Sequence, residues 1–153
     1  MHWLELRVPP LALTIALVVV TVAADRLWPA TSYSDAAYVW PALLVVIAGA
    51  VVCLAGVLSF RQAGTTIDPT RPARASALIE RGIYAWTRNP MYLGFAVVIL
   101  GVALLLSNWL GVLLAMAFVP YMNRWQIGPE ERALGRTFGD SFTDYARRVR
   151  RWL

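Results

Sequence analysis

The chain has 153 residues, enough for one domain. Hydrophobic residues make up 59% and charged residues 15%, against about 45–50% and about 25% in ordinary soluble domains, which excludes a disordered chain, a fibrous repeat and a conventional soluble globule. All 14 basic residues are Arg, the formal net charge is +5, and the arginines flank apolar stretches, so anionic lipid headgroups rather than nucleic acid are the expected partner.

Residues 8–24 form the first apolar run. As a helix it reaches about 25 Å, short for a hydrocarbon core of about 30 Å but sufficient. Pro9 and Pro10 suit its first turn. Arg7, the apolar stretch and Ala23-Ala24 also fit a signal peptide, but three later apolar runs favour a retained span. The linker 25–37 holds Trp28, Pro29 and Tyr33, which suit an interfacial turn. Residues 38–60 form the second run, about 34 Å as a helix. Gly49 and Gly56 lie two turns apart on one face of it; they permit close helix contact and equally fit ordinary small residues in a span.

Residues 61–89 are polar and carry Gly64, Pro69, Pro72 and Gly82, the pattern of a loop broken by turns. Two shorter runs follow, 91–106 and 110–125, joined at Ser107-Asn108-Trp109. At about 24 Å each they read as a tight helical hairpin, either spanning the bilayer or dipping into it. Pro129-Glu130-Glu131 opens a further helix, with proline and acids in the first turn, and Gly139 breaks it. Phe142, Tyr145, Val149 and Trp152 then recur at helical spacing, with Arg147, Arg148, Arg150 and Arg151 on the other faces. Such a helix is expected on a membrane surface.

All the arginines except Arg26 fall on one side of four such spans, which places both termini and the long loop in the cytosol. The expected fold is all-α and polytopic, with about four transmembrane helices and a C-terminal cytosolic amphipathic helical segment. Residues 1–60 supply two N-terminal transmembrane helices. Residues 61–153 supply a core of loop, hairpin 91–125 and C-terminal helices. The all-Arg composition and small size suit a bacterial inner membrane.

Cys53 lies in an apolar run and His2 near the start, so a His/Cys metal cluster or a Ser-His-Asp triad has no basis and no metal is expected. The apolar runs carry no charged residue or His at membrane depth, which weakens a small ion-coupled transporter. Chemistry is instead expected in the two polar segments that bracket the hairpin. In the first, Arg81 to Gly94, Asn89 is a good N-cap and Pro90 a good first helical residue. The free backbone N–H groups of such a helix start suit an anion; a plain capped helix is the alternative. In the second, Glu130 and Glu131 are dipole complements, or a carboxylate site for hydroxyls or an amine.

Gly82-x-Tyr84, Arg88-Asn89-Pro90-x-Tyr92-x-Gly94, a hairpin, Glu130-Glu131-x-x-Leu134 and Phe138-Gly139-x-x-Phe142-x-x-Tyr145 together resemble the isoprenylcysteine carboxyl methyltransferase and phospholipid methyltransferase superfamily. The resemblance covers residues 64–153, and Gly64-Thr65 and Pro69 fit its bacterial members. It implies an integral membrane methyltransferase that uses S-adenosylmethionine. By position it implies cofactor binding by Ser76, Ala77, Leu78, Ile79, Tyr84, Asn89, Pro90, Met91, Tyr92 and Glu130. Eukaryotic members carry His at the position of Asn89, and a substrate-binding Arg at that of Gln126. Gln126 and the nearby Arg124 are therefore the substrate-binding candidates. No catalytic residue is assigned; Glu131 and Arg124 are the nearest candidates. The implied acceptor is a small lipophilic or prenylated molecule entering from the bilayer. A phospholipid amine N-methyltransferase, an NADPH-dependent reductase of the steroid reductase type and a small membrane transporter are the competing readings. The methyl acceptor and oligomeric state are not legible in the sequence.

Overall fold

The computed structural model describes residues 5–28, 39–64 and 77–153. It consists of α1 (Pro10–Leu27), α2 (Val39–Gln62), a 3-10 turn (Gly82–Ala85), α3 (Pro90–Leu105), α4 (Trp109–Met122), a π-helical turn (Asn123–Ile127), α5 (Gly128–Phe138) and α6 (Asp140–Arg148). Among the described residues there is no β-strand. By length and composition α1 and α2, of 18 and 24 residues, can each cross a membrane. α3 and α4, of 16 and 14 residues, are shorter. Leu11, Ile15 and Val19 on α1 and Leu44, Val51 and Leu54 on α2 stand exposed, an apolar exterior suited to lipid.

The inner faces use small residues. Among the described residues α2 runs along α3 in the most extensive helix contact. A Cβ at Gly49 would stand 2.8 Å from the Gly94 carbonyl oxygen, and one at Gly94 would stand 2.6 Å from that of Gly49. A Cβ at Gly101 would meet the Val46 backbone nitrogen at 2.8 Å, and one at Gly56 would meet Met91. The two backbones are therefore in direct contact, which no larger residue permits. Thr14 and Thr21 are buried on α1, and their hydroxyls donate to the Pro10 and Leu17 carbonyls one turn back, so neither is stranded in an apolar setting.

The α3–α4 connection turns at Ser107, with φ 51°. Asn108 is fully buried there, and its side-chain oxygen accepts the Gly111 N–H at 3.0 Å, which caps α4. Ile99, Phe118, Met122 and Ile127 form the core between α3 and α4 together with Tyr92. Pro120, inside α4, donates no backbone hydrogen bond. The helix widens into the π turn soon after it and runs on without a break into α5, where Pro129 occupies the first turn.

The C-terminal helix differs from its expected placement. α6 ends at Arg148, and Val149 is extended. Phe142, Tyr145 and Val149 are buried against Leu78, Leu134 and Phe138. The apolar face is thus filled by the protein's own residues, not turned toward a membrane. The helical spacing reveals an apolar face but not what covers it.

Candidate functional site

A cavity of about 100 Å³, open on one side to solvent, lies where the start of α3 meets α5, α6 and the residues before the 3-10 turn. Most of the expected cofactor residues line it: Ala77, Leu78, Ile79, Tyr84, Asn89, Met91, Tyr92 and Glu130. Pro90 is buried one step behind, against the face of Gly56. Ser76 lies outside the described residues. Gln126 is buried and reaches the cavity through Tyr92, to whose hydroxyl its side-chain nitrogen donates at 3.4 Å. Arg124 is exposed and does not line the cavity.

The two acids separate. Successive helical residues diverge by about 100°, so neighbouring carboxylates reach different partners. Tyr92 donates its hydroxyl to Glu130, equidistant from both carboxyl oxygens at 3.0 Å. Burial pushes the Glu130 carboxyl up to about 8, and the Glu131 charge adds to the rise, while hydrogen bonds from Tyr92 and Gln126 oppose it. Burial thus favours the protonated form of Glu130. Glu131 instead accepts from two arginines: Arg88 Nη2 at 2.8 Å, and Arg151 Nε at 3.1 Å with a second bond from Arg151 Nη2.

Aromatic rings form the remaining walls. The Tyr84 ring meets Phe60 edge-on, with centroids 5.5 Å apart. The Tyr145 hydroxyl donates to the Tyr84 carbonyl at 2.8 Å and fastens α6 to the 3-10 turn. Burial raises both phenols above the ordinary tyrosine range, so both stay neutral. Among the described residues no cluster of metal-ligating side chains occurs.

Asn89 departs from its expected role. It occupies the N-cap position of α3, yet its side chain makes no capping bond. It donates instead to the Arg151 carbonyl at 2.9 Å. The Asn89 N–H is taken by the Thr87 hydroxyl at 3.2 Å. The motif residue Arg88, to which the sequence assigns no role, is central: Nη1 donates to the Ala146 and Val149 carbonyls at 2.6 and 3.2 Å. Its Nε is buried with no hydrogen-bond partner among the described residues. Phe60, Leu134 and Phe142 also line the cavity. The 3, 4 spacing of Phe142, Tyr145 and Val149 is the one signal for α6, and nothing local marks Phe60 beyond its place at the end of a span.

Among the described residues the fold is all-helical, with two apolar helices long enough to cross a membrane and a largely apolar cavity that holds a carboxyl beside aromatic rings. A model of the family described as phospholipid methyltransferase matches residues 37–141. The chain belongs to this family, within the superfamily that also contains the isoprenylcysteine methyltransferases. It is 38% identical over 72 residues to a protein-S-isoprenylcysteine O-methyltransferase of Schizosaccharomyces pombe, covering 47% of this chain and 30% of the relative. It is 33% identical over 111 residues to the Rattus norvegicus protein of that name, covering 70% of this chain and 38% of the relative. An uncharacterized Haemophilus influenzae protein is 41% identical over 66 residues, which is its whole length and 41% of this chain. The chain thus spans about a third of the length of the eukaryotic relatives it matches. No solved structure matches. The family is one of membrane methyltransferases.

Proposed function

We propose that the protein is an S-adenosylmethionine-dependent methyltransferase that modifies a lipophilic or prenylated acceptor, in the manner of an isoprenylcysteine carboxyl O-methyltransferase. The observation that carries the reading is the Glu130–Tyr92–Gln126 cluster, a half-buried carboxyl in an aromatic-walled cavity beside the start of α3. A sulfonium cofactor supplies an activated methyl group to a nucleophile. The residues fit such a group. Tyr84 and Tyr92 offer electron-rich faces to a cation. Glu130 ionises when a cation approaches and so matches its charge. Arg88 Nε is a buried donor in want of an acceptor, as a carboxylate would supply.

The chain's own contribution is then positioning and the exclusion of water. Leu78, Leu134 and Phe142 keep the cavity wall apolar. Gln126 is the substrate-side residue nearest the cofactor residues. Arg124 is exposed outside the cavity, and its proposed role is toward headgroups or the approaching acceptor. Residues 61–153 form the methyltransferase core, supported by the spans in residues 1–60. We place the core's loop and both termini on the cytosolic side of a bacterial inner membrane, through four spans and the excess of arginine on that side. Arg136, Arg147 and Arg150, all exposed, suit anionic headgroups.

A phospholipid amine acceptor is the second reading, favoured by the description of the matched family. The test is binding followed by product identification. Purified protein in lipid nanodiscs is titrated with S-adenosylmethionine and, separately, with NADPH. S-adenosylmethionine is expected to stabilise it by about 2.7 kcal/mol at a hundredfold excess over the dissociation constant. Protection by NADPH alone overturns the reading in favour of a reductase, and protection by neither overturns it altogether. Transfer of labelled methyl into a membrane extract then separates a base-labile methyl ester from a methylated amine.

A further inference from the structure

The segment 149–153 is held against the turn 87–89 like a strap. The Arg88 N–H donates to the Arg150 carbonyl at 3.0 Å. Asn89 Nδ2 and the Thr87 hydroxyl both donate to the Arg151 carbonyl, at 2.9 and 3.4 Å. The Trp152 indole N–H donates to Asn123 Oδ1 at 3.0 Å, which ties the same strap to the π turn. The Arg88 guanidinium meanwhile covers two carbonyls at the end of α6, groups that a helix terminus leaves without partners.

One carboxylate joins these parts. Glu131 sits on α5 and binds Arg88 from the start of α3 and Arg151 from the strap. The Glu131 and Arg88 side chains are 20% and 13% exposed, so the pair is largely shielded from salt and water. Neither the strap nor Arg151 lines the cavity, but both touch residues that do: Arg88, Asn89 and Glu131. We infer that Glu131 is a positioning residue, which acts through Arg88 and Arg151 to clamp the strap and α6 onto the start of α3 and so hold the cofactor wall closed. The inference deepens the proposed function and rests on it for its link to the cofactor. It also gives the two neighbouring acids separate tasks, Glu130 toward the ligand and Glu131 toward the scaffold.

The test uses the full chain in nanodiscs as wild type, E131Q, R151Q and the double variant. Two quantities are read: hydrogen exchange across residues 84–92 and 142–153, and the dissociation constant of S-adenosylmethionine. For E131Q, exchange in both segments is expected to rise about tenfold while α2 and the rest of α3 stay unchanged, because the clamp opens locally. The dissociation constant is expected to rise about tenfold as well, with kcat at saturating cofactor and its pH profile unaltered. R151Q should show the same pattern more weakly, since Arg88 remains paired. The double variant should be no worse than E131Q within about twofold, because both changes break one contact.

Unchanged exchange in E131Q overturns the inference. So does a fall in kcat with a displaced pH profile at constant affinity, which would make Glu131 a proton acceptor. Multiplying effects in the double variant also overturn it. If E131Q does not fold, R151Q is measured in its place, and unchanged exchange there overturns the inference equally. Wild type that shows no cofactor binding removes the proposed function, whereas the exchange measurement still decides whether the clamp exists.

Discussion

The α2–α3 seam and the cavity beside it are built on opposite principles. In the seam, backbone rests on backbone; Gly49, Gly94 and Gly101 contribute nothing except the absence of a side chain. In the cavity, nearly every contact is made by a side chain tip, and α3, α5, α6 and the strap are joined by hydrogen bonds and ion pairs. The two meet at Gly56, against Pro90 and Met91, and at Phe60, against Tyr84. The seam thus fixes where the start of α3 stands, and the polar network determines what that position can bind. Rigid close packing asks for small residues and tolerates no growth. A network of tips tolerates losses in stability but not in geometry.

The comparison is most severely tested in the seam. Gly94→Val forces a side chain into the Gly49 carbonyl and the Cys53 backbone, and the helices must part. A loss of about 3 kcal/mol or more is expected in detergent unfolding, together with loss of ligand binding. A fully stable variant would mean that the seam is looser than its glycine contacts imply. Next comes the cavity itself. Tyr92→Phe and Glu130→Gln should each weaken S-adenosylmethionine about tenfold or more, about 1.4 kcal/mol, by calorimetric titration, while unfolding of the spans is little changed. Unaltered affinity in both would remove the site from the cavity.

The raised Glu130 carboxyl gives a third test, with a definite sign. Its folded value, about 8, lies above the ordinary 4.5. The folded state therefore keeps a proton that the unfolded state has released. Without ligand, stability is fully present below about pH 4.5 and falls as the pH rises to about 8, by at most about 1.4 kcal/mol per pH unit. Glu130→Gln should flatten that slope in unfolding measured against pH. Affinity for a cationic ligand should run the other way and strengthen between about pH 6 and 8. The smallest effect is expected at Arg132, whose side chain is about half exposed where it pairs with Glu5 at 2.7 Å. Arg132→Ala should shift stability by less than about 1 kcal/mol and leave binding intact.

The first two apolar helices are legible in the sequence to within about three residues, because apolar length is a strong signal and needs no partner to be read. The seam is half legible. Gly49 and Gly56 advertise a close approach, but only the fold shows that Gly94 faces Gly49, that Pro90 and Met91 face Gly56, and that Gly101 lies against Val46. The cavity's two polar segments can be placed near each other because they bracket one hairpin. Side-chain assignments within them are harder. Asn89 has the residue type of an N-cap, yet the strap takes its amide away from the helix, a tertiary contact between residues 62 positions apart. The apolar face of α6 is visible, but whether lipid or protein fills it depends on where Leu78 and Leu134 arrive. The π turn leaves no mark in composition.

That turn acts as a reading frame for everything after it. Five residues, Asn123–Ile127, occupy a loop of helix that an α-helix would make with about four. Removing one of them while the turn keeps its width would pull Gly128 into it and draw α5 back by one residue, about 100° of helix. Glu131 would then arrive beside Tyr92, and Arg132 would be driven toward the two arginines that Glu131 now holds. A one-residue deletion there is a frameshift in space: the chain keeps its helices, and its two acids and the following arginine each move one place along.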